Sequence, residues 1–182
     1  MRRPTPQQID EAILDVAAGV FAQYGYEQAS VQRIADEAGY SKTGLLHRFA
    51  SKDAIKEAVR GQCLELGATM LAAVRQAPAG PQRDRATVAT LVDLAMSHPG
   101  TVALLLSAGT QEGATDASWI LDDARRMLDE AFEIDDDTEL SRRVRVVGCL
   151  GALGFGVVVL REYPAHLVRD ALVDTCCAAL GT

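Results

Sequence analysis

The sequence predicts an all-α protein of about nine helices, and three observations lead to this fold class. Apolar residues recur at helical spacing through most of the 182 residues. Helix start and stop signals bound several of these segments. Breaks rich in proline and glycine, such as the stretch 78–81, separate others.

The first helix begins at Thr5, whose side chain is placed to cap it. Pro6 stands at the first helical position, and Gln8 completes a capping box. Gly25 is expected to end the helix. Its buried side is formed by six residues at helical spacing: Ile9, Ile13, Val16, Val20, Phe21 and Tyr24.

Residues 30–49 have the layout of a helix-turn-helix, whose second helix can lie in the DNA major groove. Gly39 follows the first short helix at a position that favours a left-handed backbone. Ser41 is placed to cap the second helix, and Leu45 and Phe49 face inward four residues apart. The apolar stripe of the first short helix consists of Val31, Ile34, Ala35 and Ala38.

The outer face of the second short helix is polar and basic, so it suits phosphates and base edges better than a protein core. It includes a glycine that permits close backbone approach. The residues on or near this face are Lys42, Thr43, Gly44, His47 and Arg48.

The first 60 residues resemble the DNA-binding domain of the TetR family of bacterial transcriptional regulators. The resemblance rests on an ordered set of segments, AGVFAQYGYEQASV, then IADEAGYSK, then GLLHRFASKDAI. It implies a helix-turn-helix DNA-binding domain over residues 1–50. The rest of the chain, 51–182, would form a helical domain for effector binding and dimerisation.

The resemblance also implies which residues contact DNA. Thr43 and His47 are expected to read bases. Arg48, Lys52 and Lys56 are expected to hold phosphates. The complete expected set is Gln32, Arg33, Ser41, Lys42, Thr43, Gly44, His47, Arg48, Lys52 and Lys56. Without the surrounding motif, the three lysines would be read as an ordinary solvated face.

Two positions depart from the common family pattern. Leu46 stands where the family usually has Tyr, and Leu cannot donate a hydrogen bond to the DNA backbone. Arg48 stands where His or Tyr is usual, and its guanidinium can supply a charged phosphate contact instead. We therefore expect DNA binding to be kept and the operator to be unusual.

The net charge of −7 argues at first against a nucleic-acid partner, but its distribution along the chain weakens that objection. Residues 1–60 hold eight basic and eight acidic residues, whereas residues 61–182 hold ten and seventeen. All three lysines lie in the first part. Because phosphates are neutralised locally at the contact face, an acidic body is compatible with DNA binding.

The remaining chain is expected to be helical. Ser51 is placed to cap a long helix that reaches about Gln76. The later predicted helices span 83–98, 101–110, 116–132, 140–161 and 165–180, with a loop at 111–114. The acidic run 135–137 is interpreted as a solvated break rather than a metal site.

The segment 140–161 is apolar nearly all round and holds four glycines, which cost helix stability unless another backbone packs closely. In the TetR family, the last two helices of each subunit pair across a two-fold axis. Packing inside one subunit is the alternative, and a membrane hairpin is disfavoured because Arg161 and Glu162 end the run. The expected dimer-interface residues are Gly148, Gly151, Leu153, Phe155, Val158, Leu172 and Cys176.

Family members commonly bind a small molecule between the helices of the second domain, and this binding releases DNA. A modest apolar or acyl ligand fits the low aromatic content of 5%. Each candidate contact has an alternative role as plain core. The candidates are Cys63, Leu66, Met70, Leu94, His98, Trp119 and Met127.

The four cysteines have no metal-ligand or disulfide-framework spacing. We interpret them as reduced, buried residues, with a redox switch as the alternative. No catalytic, cofactor or metal motif is found, so we expect no enzyme activity, no cofactor and no metal. Without a secretory signal or an apolar run of transmembrane length, a cytoplasmic protein with no membrane partner is expected.

The sequence therefore predicts a homodimeric regulator that binds a palindromic DNA operator and responds to a small-molecule effector. Repression is preferred over activation from family habit alone. The competing hypothesis is a dimeric adaptor or ligand sensor of the same fold that has lost specific DNA binding. Leu46 is the main support for that alternative.

Overall fold

A computed structural model describes residues 4–110 and 118–182 of the chain. Within these ranges it contains nine helices and no strand, which confirms the predicted fold class. The helices are α1 (Pro6–Gln28), α2 (Val31–Ala38), α3 (Lys42–Arg48), α4 (Lys52–Val74), α5 (Pro81–Ser97), α6 (Pro99–Thr110), α7 (Ser118–Ala131), α8 (Leu140–Val159) and α9 (Ala165–Leu180). The predicted loop at 111–114 and the first residues of the predicted helix 116–132 lie outside the described residues.

The helix boundaries differ from the prediction mainly at prolines and glycines. Helix α5 begins at Pro81 because proline is tolerated at the first helical position. As predicted, the regular helix is interrupted at Gly25, which adopts a non-helical φ of 72° and ψ of 159°. A short helical turn after this kink carries α1 on to Gln28.

The described chain divides into two compact units. One takes in residues 4–65, 100–110 and 118–122, and the other takes in 66–99 and 123–182. Helices α4 and α7 each contribute to both units. These units are defined by compactness and not by function, so the predicted boundary at residue 50 between a DNA-binding and an effector-binding domain stays a prediction.

The first unit has a core in which α1, α2, α3 and the first half of α4 pack together. Its most buried large side chains include Ile13, Ile34, Leu45 and Ile55. Helix α6 joins this unit through Asp15 of α1, whose carboxylate accepts hydrogen bonds from the backbone N–H groups of Gly100 and Thr101 at 3.1 and 2.9 Å. The first orphan donors of α6 are thus satisfied by a side chain of α1.

The second unit is organised by α8 and α9, which pack against each other and against α5. A buried ion pair joins Asp84 of α5 to Arg142 of α8, with nitrogen-to-oxygen distances of 2.9 and 2.6 Å. Arg169 of α9 forms a second bidentate pair with Asp93 of α5. The hydrogen bond from Arg169, together with its charge, holds the pKa of the Asp93 carboxyl below its usual value.

The four cysteines are buried and carry no disulfide. The Cys176 thiol of α9 donates to the backbone carbonyl of Cys149 in α8 at 3.5 Å. Hydrogen bonding with Cys176 and burial raise the pKa of the Cys149 thiol, and burial raises that of Cys177. These two thiols therefore stay protonated at neutral pH, which agrees with their interpretation as buried, reduced residues.

Within the described ranges, no individual helix is long and apolar enough to cross a membrane. Helices α5 and α6, as a bent consecutive pair, meet that test by length and composition alone.

Candidate nucleic-acid interface

Helices α2 and α3 form the predicted helix-turn-helix, and local backbone chemistry fixes the turn between them. Gly39 adopts φ 75° and ψ 28°, a left-handed conformation that costs glycine little. The Ser41 hydroxyl then accepts a hydrogen bond from the backbone N–H of Gly44 at 3.0 Å and caps α3. Leu45 is fully buried and anchors α3 on the core. All three sequence-based expectations for this turn are confirmed.

Three side chains of α3 are exposed and uncommitted. Lys42, Thr43 and His47 make no hydrogen bond or ion pair to any other residue that the structure describes. They present a cation, a hydroxyl and an imidazole along two helical turns. Each of these groups can contact DNA without first breaking an interaction inside the protein.

The capping residues have a different role from these three. Ser41 is exposed, but its hydroxyl already accepts the bond that caps α3. A Cβ placed on Gly44 would lie 3.1 Å from the Ser41 Oγ, so glycine is the residue that leaves room for this cap. Gly44 is half-buried and lies closer to the core than the outer-face assignment implied.

The two expected contacts on α2 are exposed and already engaged. The Gln32 side-chain amide donates to the Asp36 carboxylate at 2.7 Å. The Arg33 guanidinium lies 4.0 Å from the centre of the Tyr24 ring, a cation–π contact. Both side chains would have to share or leave these partners to reach a phosphate.

Arg48 closes α3 with an ion pair to Asp10 of α1. The guanidinium is partly exposed and has donors beyond those that the carboxylate uses. The pair joins the end of α3 to the start of α1 and places a carboxylate beside the guanidinium. The role of Arg48 as a phosphate contact therefore stays a prediction, and a phosphate would have to compete with Asp10 for the guanidinium.

Lys52 and Lys56 are half-buried, in contrast to Lys42. The Lys52 ammonium lies among three backbone carbonyl oxygens and 4.3 Å from the centre of the Tyr26 ring. The Lys56 ammonium lies 4.7 Å from the centre of the same ring and 5.2 Å from that of Trp119. The structure thus places both lysines in protein contacts that the sequence did not reveal.

Two further residues, one within α3 and one just before it, bear on the candidate interface. Leu46 is half-buried, so it contributes to packing rather than to a polar contact. Tyr40, between Gly39 and the Ser41 cap, is an exposed aromatic that sequence reasoning passed over. Its position in the turn directly before the N-cap of α3 is the sequence signal that could have identified it as exposed.

The candidate ligand contacts are divided between the two units. Cys63 and Trp119 belong to the core of the first unit. Met70, Leu94 and Met127 pack together in a core of the second unit, and Met127 lies directly on Gly67. Leu66 and His98, also in the second unit, are half-buried.

The candidate dimer residues lie on two opposite sides of α8 and α9. Leu153, Leu172 and Cys176 are buried inside the subunit, where they contribute to the packing of α8 on α9. Phe155 and Val158 are exposed, and a Cβ on Gly148 or Gly151 would meet nothing within 4 Å. The expectation that α8 is buried on every side is therefore not met within one subunit.

The exposed side of α8 is a continuous apolar stripe. Its members recur every three or four residues along the helix, with the two open glycines between them. We call this set the α8 stripe: Leu140, Val144, Val147, Gly148, Gly151, Phe155, Val158 and Val159. Within the stripe, the side chain of Phe155 is 72% exposed and that of Val147 is 69% exposed. Single exposed apolar residues are common on protein surfaces, whereas a contiguous apolar patch such as this one marks an interaction surface.

The arrangement of α1–α3 defines a helix-turn-helix domain of the DNA-binding class. Residues 13–59 match the family model described as bacterial regulatory proteins, tetR family. The helix-turn-helix domain of this chain therefore belongs to the TetR family.

The sequence and fold comparisons agree with this family. The chain is 41% identical over 66 residues to the HTH-type transcriptional regulator RutR of Escherichia coli K12, a match that covers 36% of this chain and 31% of RutR. It is 46% identical over 48 residues to the A-factor receptor protein of Streptomyces griseus, covering 26% and 17% of the two chains. The matched segments thus span less than a third of these relatives.

The fold likeness extends over nearly the whole chain. A TetR-family transcriptional regulator from Bordetella parapertussis superposes with a TM-score of 0.65 at 18% identity, and the match covers 94% of this chain and 93% of that one. At this identity the likeness concerns the fold alone. These relatives and this structural neighbour bear the names of regulators or a receptor and not of enzymes.

Proposed function

We propose that the protein is a homodimeric transcriptional regulator that binds a palindromic DNA operator through α3 and acts as a repressor released by a small-molecule effector. One observation carries the DNA-binding part of the proposal. A TetR-type helix-turn-helix presents Lys42, Thr43 and His47 on its second helix, all exposed and uncommitted to partners among the described residues.

The three side chains suit different parts of a DNA duplex. Thr43 and His47 stand four residues apart on the outer face of α3 and can contact base edges in the major groove. Lys42, one residue after the Ser41 cap, is placed for a phosphate at the edge of that groove.

The α8 stripe supports the dimer. An apolar face of this length is costly to leave in water, and a second copy of the same stripe would cover it symmetrically. Gly148 and Gly151 would let two α8 backbones approach closely in such a pairing. A two-fold dimer would direct two α3 helices at successive major grooves, about 34 Å apart, and therefore at a palindromic site.

The effector part of the proposal rests on family habit and on the apolar interior of the second unit. Met70, Leu94 and Met127 are flexible or half-buried side chains that can rearrange around an apolar ligand. Such a ligand would release DNA only if it binds the DNA-incompetent state more tightly, and DNA would then weaken ligand binding by the same factor.

The direct experiment is a selection of bound fragments from genomic DNA by the purified protein at near-physiological salt. The matched control carries Lys42→Ala, Thr43→Ala and His47→Ala, which leave the buried residues of α3 intact. We expect the natural protein to enrich palindromic fragments and the triple variant to enrich none. Equal enrichment by both proteins would remove α3 from the proposal.

The adaptor hypothesis predicts a different outcome of the same selection. A protein that enriches no fragment yet sediments as a dimer would have kept the fold and lost specific DNA binding. Repeating the selection with small-molecule extracts separates this case from a regulator that needs a ligand before it binds.

A further inference from the structure

The Lys52 ammonium occupies a site made of backbone carbonyls at the first residue of α4. Its Nζ donates to the carbonyl oxygens of Tyr26, Ala29 and Glu27 at 2.8, 3.2 and 3.3 Å. A lysine ammonium has three N–H donors and no acceptor. Three carbonyls can therefore engage all of its donors.

The carbonyls are available because of the way α1 ends. Gly25 breaks the helical backbone with φ 72°, and the last turn of α1 is short. Carbonyl groups at the end of a helix have no partner within the helix and carry partial negative charge. A cation at this place satisfies both the hydrogen-bonding and the electrostatic need.

Tyr26 supports Lys52 in this position. The Tyr26 ring centre lies 4.3 Å from the ammonium, and the Tyr26 hydroxyl donates to the carboxylate of Asp53, the residue after Lys52. The end of α1 and the first turn of α4 are thus joined by a cation and by a separate hydrogen bond.

The position of this junction in the chain gives it its significance. The helix-turn-helix segment 30–51 begins directly after Ala29 and ends directly before Lys52. The contact between Lys52 and the Ala29 carbonyl therefore closes the base of this segment. Any loosening there would change the direction in which α3 points.

We propose that Lys52 is a positioning residue that fixes α3 by closing the helix-turn-helix at its base, and that it makes no phosphate contact. This reverses the role that the family resemblance implied for Lys52. The effect on DNA binding rests on the proposed function, whereas the closing contact itself does not.

Amine labelling tests the contact in the unaltered protein, because the chain contains only three lysines, Lys42, Lys52 and Lys56. Mass spectrometry follows the labelling rate of each by an amine-reactive reagent, with and without the selected DNA. We expect Lys52 to react about tenfold more slowly than Lys42 in the free protein, because Lys52 is half-buried with its Nζ engaged by three carbonyl oxygens, whereas Lys42 is exposed. DNA should protect Lys42 and leave Lys52 unchanged.

Equal rates for Lys52 and Lys42 in the free protein would overturn the closing contact. If Lys52 is labelled fast in the free protein and is protected only when DNA is added, it is a phosphate contact after all. If the protein binds no DNA, the rates in the free protein still decide whether the contact exists, so this failure is distinct from failure of the proposed function.

The salt dependence of binding provides the second test. Lys52→Met keeps the length of the side chain and removes its charge, and it should weaken specific binding roughly tenfold with an unchanged slope of log K against log salt. Lys42→Ala should make that slope shallower by about 0.9, the value for one phosphate that the protein no longer neutralises. A slope made equally shallow by Lys52→Met, with no loss of thermal stability, would contradict the positioning role.

Discussion

Helices α3 and α8 both expose side chains that the single subunit does not use, but the chemistry of the two surfaces is opposite. The exposed residues of α3 are polar, so water can satisfy them until another partner arrives. Those of α8 are apolar, so water is a poor partner for them. We infer that α3 can exchange its partner freely, whereas α8 requires a lasting one.

The two helices also differ in length and in what stabilises them. Helix α3 has only seven residues and depends on a cap, a buried leucine and its neighbours for stability. Helix α8 has twenty residues, one buried side against α9 and one exposed apolar side. Under the proposed function, the surface that binds reversibly would lie on a short supported helix, and the surface for lasting pairing on a long one.

The largest expected effect comes from placing a charge in the α8 stripe. Phe155→Glu should weaken dimerisation by about 10²-fold or more, because burying a phenylalanine contributes about 1.5–3 kcal/mol on each side of a two-fold interface. Analytical ultracentrifugation over a dilution series measures this change. Tyr40→Glu, an exposed aromatic of the first unit, is the control and should leave the dimer intact. A dimer unaffected by Phe155→Glu would remove the stripe from the interface.

A smaller effect is expected from the base-reading residues of α3. His47→Ala should cost about 1–3 kcal/mol of binding to the selected site and much less on unrelated DNA. Lys42→Ala should weaken binding to all sequences and flatten the salt dependence. Arg161→Ala, which removes one positive charge from the second unit, is the matched control for charge. Identical losses on specific and unrelated DNA would contradict base reading by His47.

The turn before α3 should be sensitive to its backbone alone. Gly39→Ala forces a Cβ into a left-handed conformation, although nothing lies within 4 Å of that atom. We expect a loss of about 1–2 kcal/mol in the free energy of unfolding, measured in urea. Gly61→Ala, in α4 with equally open space and a helical backbone, should be neutral or stabilising. Equal effects of the two variants would mean that the turn is not strained.

The smallest effect distinguishes a free helix face from a packed one. In an isolated subunit, Gly151→Ala should stabilise α8 by up to about 1 kcal/mol, because alanine has the higher helix propensity. If two α8 helices approach closely at this glycine, the same change should weaken the dimer. We expect a higher melting temperature under conditions that keep subunits apart, together with a lower dimer affinity. A stronger dimer would mean that the helices pair elsewhere on the stripe.

Much of the first unit could be predicted from sequence, because its determinants are local. The Thr5 capping box, the left-handed Gly39 and the Ser41 cap each depend on residues within a few positions. Their side chains act on their own backbone, so spacing alone identifies them. The inward side of α3 followed for the same reason from Leu45.

The partners of the charged residues could not be predicted in this way. Lys52 meets carbonyls 23 to 26 residues away, and Arg48 meets Asp10, 38 residues away. Such pairings depend on the tertiary fold, so a basic residue near a helix-turn-helix looks like a phosphate contact whether or not its charge is already engaged. The orientation of α8 could not be predicted for the same reason. The helix is apolar on every side, so its sequence does not indicate which side packs against α9.

We propose that two copies of α3, brought together by the α8 stripe, read one DNA site. The decisive experiment is a high-resolution chemical footprint of the protein on a selected genomic fragment. We predict two protected major-groove segments related by two-fold symmetry and separated by about one helical turn. A single one-sided footprint, or protection that the Lys42, Thr43 and His47 triple variant reproduces, would contradict it.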